Sequence, residues 1–296
     1  MAEWEGKSQA NSLGYRIFIV ILQKAGVQTA YFILYSVAMY YLLFSRRSTR
    51  IIKHFLRFRF GYSYWAAISA IYSTYYIFGQ TLIDKIVLMG NLPHRFTFDF
   101  EGEENLRAIV KGGKGGILLS AHLGNWEAAG HLLQRLDTKI NVVMYDGEHE
   151  KIKRYIERAT GERNFQVIVI KNDMSHVYEI GEALQKNELI CLHADRYMPG
   201  SKTISTQFLG DEALFPEGPF ALATAFKVPV CVVFAFKESK THYHLYSSER
   251  IEMLPEENKR AYLKRLFDTF IADLEVKVTR YPKQWFNYYS FWKQNN

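Results

Sequence analysis

The chain has 296 residues, of which 48% are hydrophobic and 23% charged, a globular composition that excludes a disordered or low-complexity chain. All of its formal charge of +7 comes from the segment before Asp84, which holds nine Lys and Arg and two Glu, whereas the rest has 28 Lys and Arg and 28 Asp and Glu. The chain from Asp84 onwards is neutral and has no recognisable nucleic-acid-binding motif, which predicts no nucleic-acid partner. The two cysteines, Cys191 and Cys231, are isolated and exclude a disulfide framework.

The first long uncharged stretch runs from Ala25 to Phe44 and ends before Arg46 and Arg47. Its length is about the 20 helical residues that cross a bilayer. Because polar residues and tyrosines interrupt it, it is either a spanning or deeply inserted helix or a buried helix of a soluble domain. The cations on its C-terminal side would leave the rest of the chain in the cytoplasm by the positive-inside tendency.

A second uncharged stretch, Gly61 to Ile83, contains Ser, Thr and Tyr throughout. It indicates a helix that lies at the membrane interface or packs on the catalytic body. Between the two stretches, cations alternate with Ile, Leu and Phe, a pattern suited to anionic lipid headgroups. We therefore predict an N-terminal helical segment over residues 1–84 that anchors the chain at the membrane, and an α/β domain over residues 85–296.

From about residue 98, short β patterns alternate with helical ones. Apolar strands are predicted at Gly116 to Ser120, Ile140 to Met144, Gln166 to Ile170, Leu189 to His193 and Val230 to Phe236. Helices are predicted near 148–160, 174–187 and 219–227, with a long amphipathic helix between Pro255 and Pro282. This alternation predicts an α/β fold with a mainly parallel central sheet flanked by helices.

The segment most informative about chemistry is His122-Leu123-Gly124-Asn125-Trp126-Glu127. It follows a predicted buried strand, and Asn125 is a plausible N-cap for a helix that begins at Trp126. On a continuous helix, His122 and Glu127 would lie on different faces. Their cooperation therefore requires a backbone break, which we expect at Gly124.

A neutral imidazole beside a substrate hydroxyl can take its proton as the oxygen attacks a thioester, which contributes about 10²–10⁴-fold to the rate. A carboxylate on the other ring nitrogen fixes the tautomer and stabilises the imidazolium. We therefore predict that His122 is a general base and that Glu127 orients it.

The same segment resembles the H-[FL]-G-N-W-E block of the lipid A biosynthesis (lauroyl/myristoyl) acyltransferases, which are within the wider H-x4-[DE] glycerolipid and lysophospholipid acyltransferase class. Four further blocks resemble that family in the same order. They are Ala194-Asp195-Arg196, Gln207-Phe208-Leu209-Gly210, Pro216-Glu217-Gly218-Pro219 with Val228-Pro229-Val230, and Pro282-Lys283-Gln284-Trp285.

The resemblance implies acyl transfer from acyl carrier protein or coenzyme A to a hydroxyl of a lipid A-type or related glycolipid of the lipopolysaccharide pathway. It also implies an N-terminal membrane helix, a location at the cytoplasmic face of the inner membrane, and no metal or organic cofactor. Other acceptors remain open, namely a lysophospholipid, an aminolipid or an aryl polyene lipid. A non-catalytic lipid-binding protein with the same fold is the remaining alternative.

Six further residues are candidates for substrate binding: Asn125, Asp195, Arg196, Gly218, Arg158 and Arg163. Asp195 and Arg196 either line the acceptor site or pair with each other at a strand end. Gly218 lies in a block that resembles the phosphate-binding F-P-E-G-T-R of glycerol-phosphate acyltransferases, although Pro219-Phe220 replaces Thr-Arg. Arg158 and Arg163 either stabilise an oxyanion or acceptor phosphate, or lie on a solvated helix face.

His193 precedes Asp195 by two residues, which invites a metal interpretation. The neighbouring sequence supplies no third ligand at a suitable spacing, so a histidine of the core is the favoured interpretation.

Overall fold

The computed structural model describes residues 12–90, 92–126, 133–145, 166–171 and 173–292. Its first three helices are α1 (Ser12–Phe44), α2 (Arg46–Phe60) and α3 (Tyr64–Met89). Gly26 breaks α1, because its φ of +77° is left-handed. Gly61 has a φ of +65° and ends α2 with its N–H donating to the carbonyl of Arg57 at 3.1 Å. One residue, Ser45, separates α1 from α2, and residues 61–63 separate α2 from α3.

The strands of the main sheet are β1 (Thr97–Glu101), β2 (Gly116–Ser120), β3 (Ile140–Tyr145), β4 (Gln166–Ile170), β5 (Leu189–His193), β8 (Val230–Lys237) and β9 (His242–Ser247). In the described part of the chain they form one seven-stranded sheet in the order β1-β9-β8-β2-β5-β3-β4. Every neighbouring pair is parallel except β8 with β9. The predicted fold class is therefore confirmed.

The remaining elements are the helices α4 (Glu103–Lys111), α5 (Ser175–Gln185), α6 (Gly218–Phe226) and α7 (Lys259–Arg280), and an antiparallel hairpin of β6 (Thr203–Phe208) and β7 (Asp211–Pro216). The predicted helices near 174–187 and 219–227 correspond to α5 and α6. The long helix begins four residues after Pro255, because Asn258 caps it by accepting the N–H of Ala261 at 3.0 Å. The helix predicted near 148–160 lies outside the described residues.

The N-terminal helices pack on the body of the protein. One face of α1 is buried against α3, as Ala30, Tyr31 and Leu34 show, while Phe32 on the opposite face is 73% exposed. α3 in turn contacts the 3-10 turn Pro282–Gln284. Helix α3 therefore packs on the body, as one interpretation of the second uncharged stretch requires, and the membrane-interface interpretation stays a prediction. The boundary predicted after residue 84 falls inside α3, and the division into two domains stays a prediction.

Candidate active site

The loop after β2 presents His122 at the carboxyl end of the strand that lies between β5 and β8. The predicted break is at Gly124, where φ is +75° and an added Cβ would lie 2.1 Å from the carbonyl oxygen of Ala235. A residue with a side chain cannot approach β8 this closely. The N–H of Gly124 donates to the carbonyl of Gln284 at 2.9 Å. The loop is thus held between β8 and the C-terminal segment.

Asp195, which follows β5, is the carboxylate that the structure places on His122. The Nδ1–H of His122 donates to Oδ1 of Asp195 at 2.8 Å, and its backbone N–H donates to Oδ2 at 3.0 Å. The Asp195 side chain is fully buried, whereas the His122 side chain is 27% exposed. A neutral imidazole that donates from Nδ1 carries its lone pair on Nε2, the nitrogen that would then act as the base.

The electrostatics of the site favour an ionised carboxylate. Burial alone would raise the pKa of Asp195, but the charge and hydrogen bond of His122, followed by the charge of Arg196, lower that pKa well below its ordinary value. The indole Nε1–H of Trp285 also donates to Oδ2 of Asp195, at 3.3 Å. The hydroxyl of Tyr289 donates to the backbone carbonyl of Asp195 at 3.1 Å. A buried carboxylate with this set of donors is fixed in both charge and orientation.

His193, at the end of β5, lies beside the same imidazole. Its Nδ1 is 3.2 Å from Nδ1 of His122, and the two rings meet edge to face. Since His122 donates from Nδ1, the Nδ1 of His193 is the unprotonated nitrogen of its ring. Burial, followed by the charge of His122, lowers the pKa of His193 well below its ordinary value. His193 is therefore a neutral neighbour of the base.

Among the described residues, His122, His193 and Asp195 form the group that could hold a metal ion, since each offers a ligand atom within 4.8 Å of the others. The fold supplies the third side chain that was lacking near His193 in the sequence. Nδ1 of His122 lies 2.8 Å from Oδ1 of Asp195 and 3.2 Å from Nδ1 of His193, which are the distances of direct hydrogen bonds. Around tetrahedral zinc, ligand atoms about 2.0–2.2 Å from the metal would lie roughly 3.3–3.6 Å apart.

The other predicted site residues are placed as follows. Glu127, Arg158 and Arg163 lie outside the described residues, so their predicted roles stay predictions. Arg196 donates from Nη2 to the carbonyl of Phe286 at 2.6 Å, in the C-terminal segment.

The remaining two candidates lie in different surroundings. Asn125 is buried and donates from Nδ2 to the hydroxyl of Tyr243 on β9 at 3.2 Å and to the carbonyl of Thr81 on α3 at 3.4 Å. Gly218 begins α6, is exposed, and has no atom within 4 Å of where a Cβ would be. The binding roles of both stay predictions.

Sequence reasoning missed a buried ionic cluster beside this loop. Nζ of Lys237 on β8 lies 2.5 Å from Oδ2 of Asp84 on α3, and both side chains are almost fully buried. The hydroxyls of Tyr31 and Tyr243 also donate to the Asp84 carboxylate. Asp84 is the first acid after Glu5, and it lies beside Lys85 in a helix whose preceding residues carry no charge. A charge that is buried in such a helix needs a partner, which was the available signal.

Comparison with known proteins identifies a family. The profile described as bacterial lipid A biosynthesis acyltransferase matches residues 9–294. The phosphatidylinositol mannoside acyltransferase of Mycobacterium tuberculosis is 29% identical over 124 residues, which are 41% of this chain and 39% of the relative. The protein of the same name from Mycolicibacterium smegmatis is 27% identical over 121 residues, 40% of each chain. The matched stretch thus spans about two fifths of the length of these relatives.

Among solved structures, the crystal structure of the 1-acyl-sn-glycerophosphate acyltransferase PlsC from Thermotoga maritima is similar to this chain. The two are 14% identical, with a TM-score of 0.34, and the match covers 89% of this chain and 98% of that one.

Proposed function

The chain belongs to the bacterial lipid A biosynthesis acyltransferase family, and we propose that it transfers a fatty acyl group from a thioester to a hydroxyl of a membrane lipid. The observation that carries this proposal is the His122–Asp195 pair at the carboxyl end of β2, with a partly exposed imidazole above a buried carboxylate. The carboxyl ends of parallel strands are where open α/β sheets bind their ligands.

In the proposed reaction, Nε2 of His122 takes the proton of the acceptor hydroxyl while the oxygen attacks the thioester carbonyl carbon. The tetrahedral intermediate collapses, the carbon–sulfur bond breaks, and the imidazolium returns the proton to the leaving thiolate. Asp195 holds the tautomer and stabilises the imidazolium through Nδ1. The nucleophile is the hydroxyl of the substrate, so the enzyme needs no serine of its own.

The acceptor and donor are the finer part of the proposal. The family description contains lipid A, and the name of the mycobacterial relatives contains a phosphatidylinositol mannoside. Both are lipids that carry sugar hydroxyls, which supports a lipid A-type or related glycolipid acceptor. The donor is the thioester of acyl carrier protein or of coenzyme A. A lysophospholipid, an aminolipid and an aryl polyene lipid are the alternative acceptors.

The test measures acyl transfer by the purified full-length chain in detergent, with radiolabelled acyl carrier protein and acyl-CoA donors and each acceptor class in turn. We expect His122→Ala to lower turnover by about 10²–10⁴-fold. Asp195→Asn is expected to lower it by at least about 10²-fold, because the ring loses its fixed tautomer.

The edge of the sheet offers a matched control. Nδ1 of His244 on β9 lies 3.0 Å from Oδ2 of Asp99 on β1, a second His–Asp pair that is remote in sequence from the catalytic loop. His244→Ala and Asp99→Asn are expected to leave transfer unchanged. Full turnover in both His122→Ala and Asp195→Asn would refute the proposal. Absence of turnover in the wild-type protein with every acceptor class would favour a non-catalytic lipid-binding protein instead.

We also propose that the N-terminal helices dock on the cytoplasmic face of the inner membrane. Ten of the fourteen large exposed apolar side chains among the described residues lie on α1, α2 or the start of α3. Phe44, Phe58 and Trp65 belong to this group, each at least 67% exposed. α2 contributes six Lys and Arg and no acid. Exposed apolar side chains beside a helix that carries cations and no acid suit an anionic lipid surface.

The contacts of α1 support a helix that lies in the interface. By length and composition, Phe18–Phe44 is a candidate membrane span. However, Tyr31 in its middle donates to buried Asp84, and Tyr41 near its end packs on Tyr75 of α3. A helix that contacts the protein body along its length is oriented by those contacts rather than by the bilayer normal.

Vesicle co-sedimentation tests the docking. The triple variant replaces three exposed cations of α2 by Gln: Arg46, Arg47 and Arg50. Each cation near an anionic surface contributes about 1 kcal/mol, so we expect binding to anionic vesicles to weaken by roughly 10²-fold. The control triple replaces exposed cations of α7, Lys259, Arg260 and Lys264, and is expected to bind like wild type. Equal losses in the two triples would contradict docking through α2.

A further inference from the structure

The C-terminal segment after α7 packs against the catalytic loop, which is the loop after β2 that carries His122. The N–H of Phe286 donates to the carbonyl of His122 at 2.9 Å, and Leu123 pairs with Trp285 in an isolated antiparallel bridge. The backbone of residues 284–286 therefore runs alongside the backbone of residues 122–124. This places the indole of Trp285, which is 4% exposed, directly beside the buried carboxylate of Asp195.

The contact between Trp285 and Asp195 is a polar one. Nε1–H of the indole donates to Oδ2, the oxygen that also accepts the backbone N–H of His122, while Oδ1 accepts the ring of His122. A carboxylate can rotate about its Cβ–Cγ bond, and a donor on the oxygen distant from the imidazole opposes that rotation. The Trp285 donor thus fixes which oxygen faces Nδ1.

The indole is itself held by the cationic helix α2. Phe55 of α2 meets the Trp285 ring edge to face, with centroids 5.2 Å apart, and stacks at 6.0 Å on Trp292. Arg59, one turn further along α2, lies 4.4 Å over the Trp292 ring and 2.5 Å from Asp211 on the hairpin. A continuous set of packed aromatic rings therefore leads from α2 to the catalytic carboxylate.

We propose that Trp285 is a positioning residue: its indole N–H holds the Asp195 carboxylate in the orientation that His122 needs, and Phe55 of α2 holds the indole. This inference rests on the proposed roles of His122 and Asp195. It assigns to the C-terminal segment a part in catalysis, and it gives α2 a mechanical connection to the site in addition to its surface charge.

The test compares Trp285→Phe with Trp292→Phe in the acyl-transfer assay. Trp285→Phe keeps an aromatic ring in the cluster, and it removes the donor to Asp195 together with part of the ring volume. Trp292→Phe removes the same kind of donor from the same cluster, but its Nε1–H serves the carbonyl of Phe208, at 3.0 Å. Trp292 is therefore a matched control for a purely structural loss.

We expect Trp285→Phe to lower kcat about tenfold, the effect of one hydrogen bond to a charged group, with KM for the thioester within about twofold. A carboxylate that has lost a donor holds the imidazolium proton more tightly, so the acid limb of the pH–rate profile should move to higher pH. Trp292→Phe should retain the wild-type kcat and profile. Phe55→Leu should lower kcat by less than Trp285→Phe, and the double variant should be no worse than Trp285→Phe alone.

The outcomes separate this inference from the proposed function. Full turnover in His122→Ala and Asp195→Asn would remove the proposed function and the inference with it. If those two variants are impaired while Trp285→Phe matches Trp292→Phe in kcat and in acid limb, the positioning role alone is overturned. If Trp285→Phe does not accumulate as folded protein, Phe55→Leu decides, and an unchanged kcat and acid limb there would overturn the proposal.

Discussion

Removal of the Asp84 carboxylate should destabilise the protein more than removal of an exposed acid. In the folded protein the carboxylate is fully buried and accepts from Lys237, Tyr31 and Tyr243. Burial raises the pKa of Asp84 and lowers that of Lys237, and the attraction between the two charges opposes both shifts. Asp84→Ala leaves the Lys237 ammonium buried without its counter-ion, which costs about 3–5 kcal/mol of the free energy of unfolding.

The effect on stability of removing both charges can be measured separately from the effect of leaving the Lys237 ammonium without its partner. In the double variant Asp84→Leu with Lys237→Met, both charges are gone and apolar side chains fill the space. Replacement of a buried ion pair by well-packed apolar residues is often neutral or stabilising. We therefore expect the double variant to recover most of the stability that Asp84→Ala loses. Asp268→Ala, which breaks the exposed pair with Lys264 on α7, should cost at most about 0.5 kcal/mol.

Thermal unfolding in one detergent, followed by circular dichroism, provides the measurement. For a chain of this length, about 3–5 kcal/mol corresponds to a fall in Tm of roughly 6–10 °C. A fall for Asp84→Ala as small as that for Asp268→Ala would refute the argument, because it would mean that Lys237 finds solvent once its partner is gone. A double variant with the same Tm as Asp84→Ala would refute it as well, because the loss of stability would then come from packing alone.

Two further predictions concern the loop and its neighbour. Burial lowers the pKa of His193 in the folded protein, so the folded protein binds this proton less readily than the unfolded chain does. The contribution of His193 to stability is therefore complete above about pH 6.5 and is lost as the pH falls below that value, by up to about 1.4 kcal/mol per pH unit. His193→Asn should make Tm depend less on pH between pH 7 and pH 5.5, and an unchanged slope would contradict this. Gly124→Ala combines a left-handed φ with a clash against the backbone of Ala235 and should lower acyl transfer at least about 10²-fold, whereas Gly113→Ala, with a φ of +71° and open space around it, should affect stability slightly and activity not at all.

Most of the sheet could be predicted because its central strands are buried on both faces. Such strands appear in a sequence as short continuous apolar runs, and the central strands β2 and β5 have the bounds expected from their sequence, as does the edge strand β4. The position of His122 after β2 followed from the same pattern. The bend at Gly124 was also predicted, because His122 and Glu127 would lie on different faces of a continuous helix.

The partner of His122 could not be predicted in the same way. Asp195 is 73 residues further along the chain, and its contact depends on β5 being the neighbour of β2, a fact of sheet order that local patterns do not contain. The roles of Gln284 and Trp285 are also hidden, because the segment after α7 has no periodicity that would indicate its docking on the loop. The family-like block at Pro282 to Trp285 marked the segment without giving its contact.

Two carboxylates are candidates for orienting His122, Glu127 from the sequence and Asp195 from the structure, and the effects of their removal distinguish them. If Glu127 were the residue that orients His122, Asp195→Asn would cost little, since the ring would keep its tautomer. The described contacts place Asp195 on Nδ1, which leaves Nε2 for the acceptor, and a second carboxylate on Nε2 would compete with the hydroxyl that the base must reach. We therefore expect Asp195→Asn to cost at least about 10²-fold. Loss from Glu127→Gln should multiply with it in the double variant, as for residues that act independently. A double variant no slower than Asp195→Asn would instead assign both carboxylates to the same imidazole.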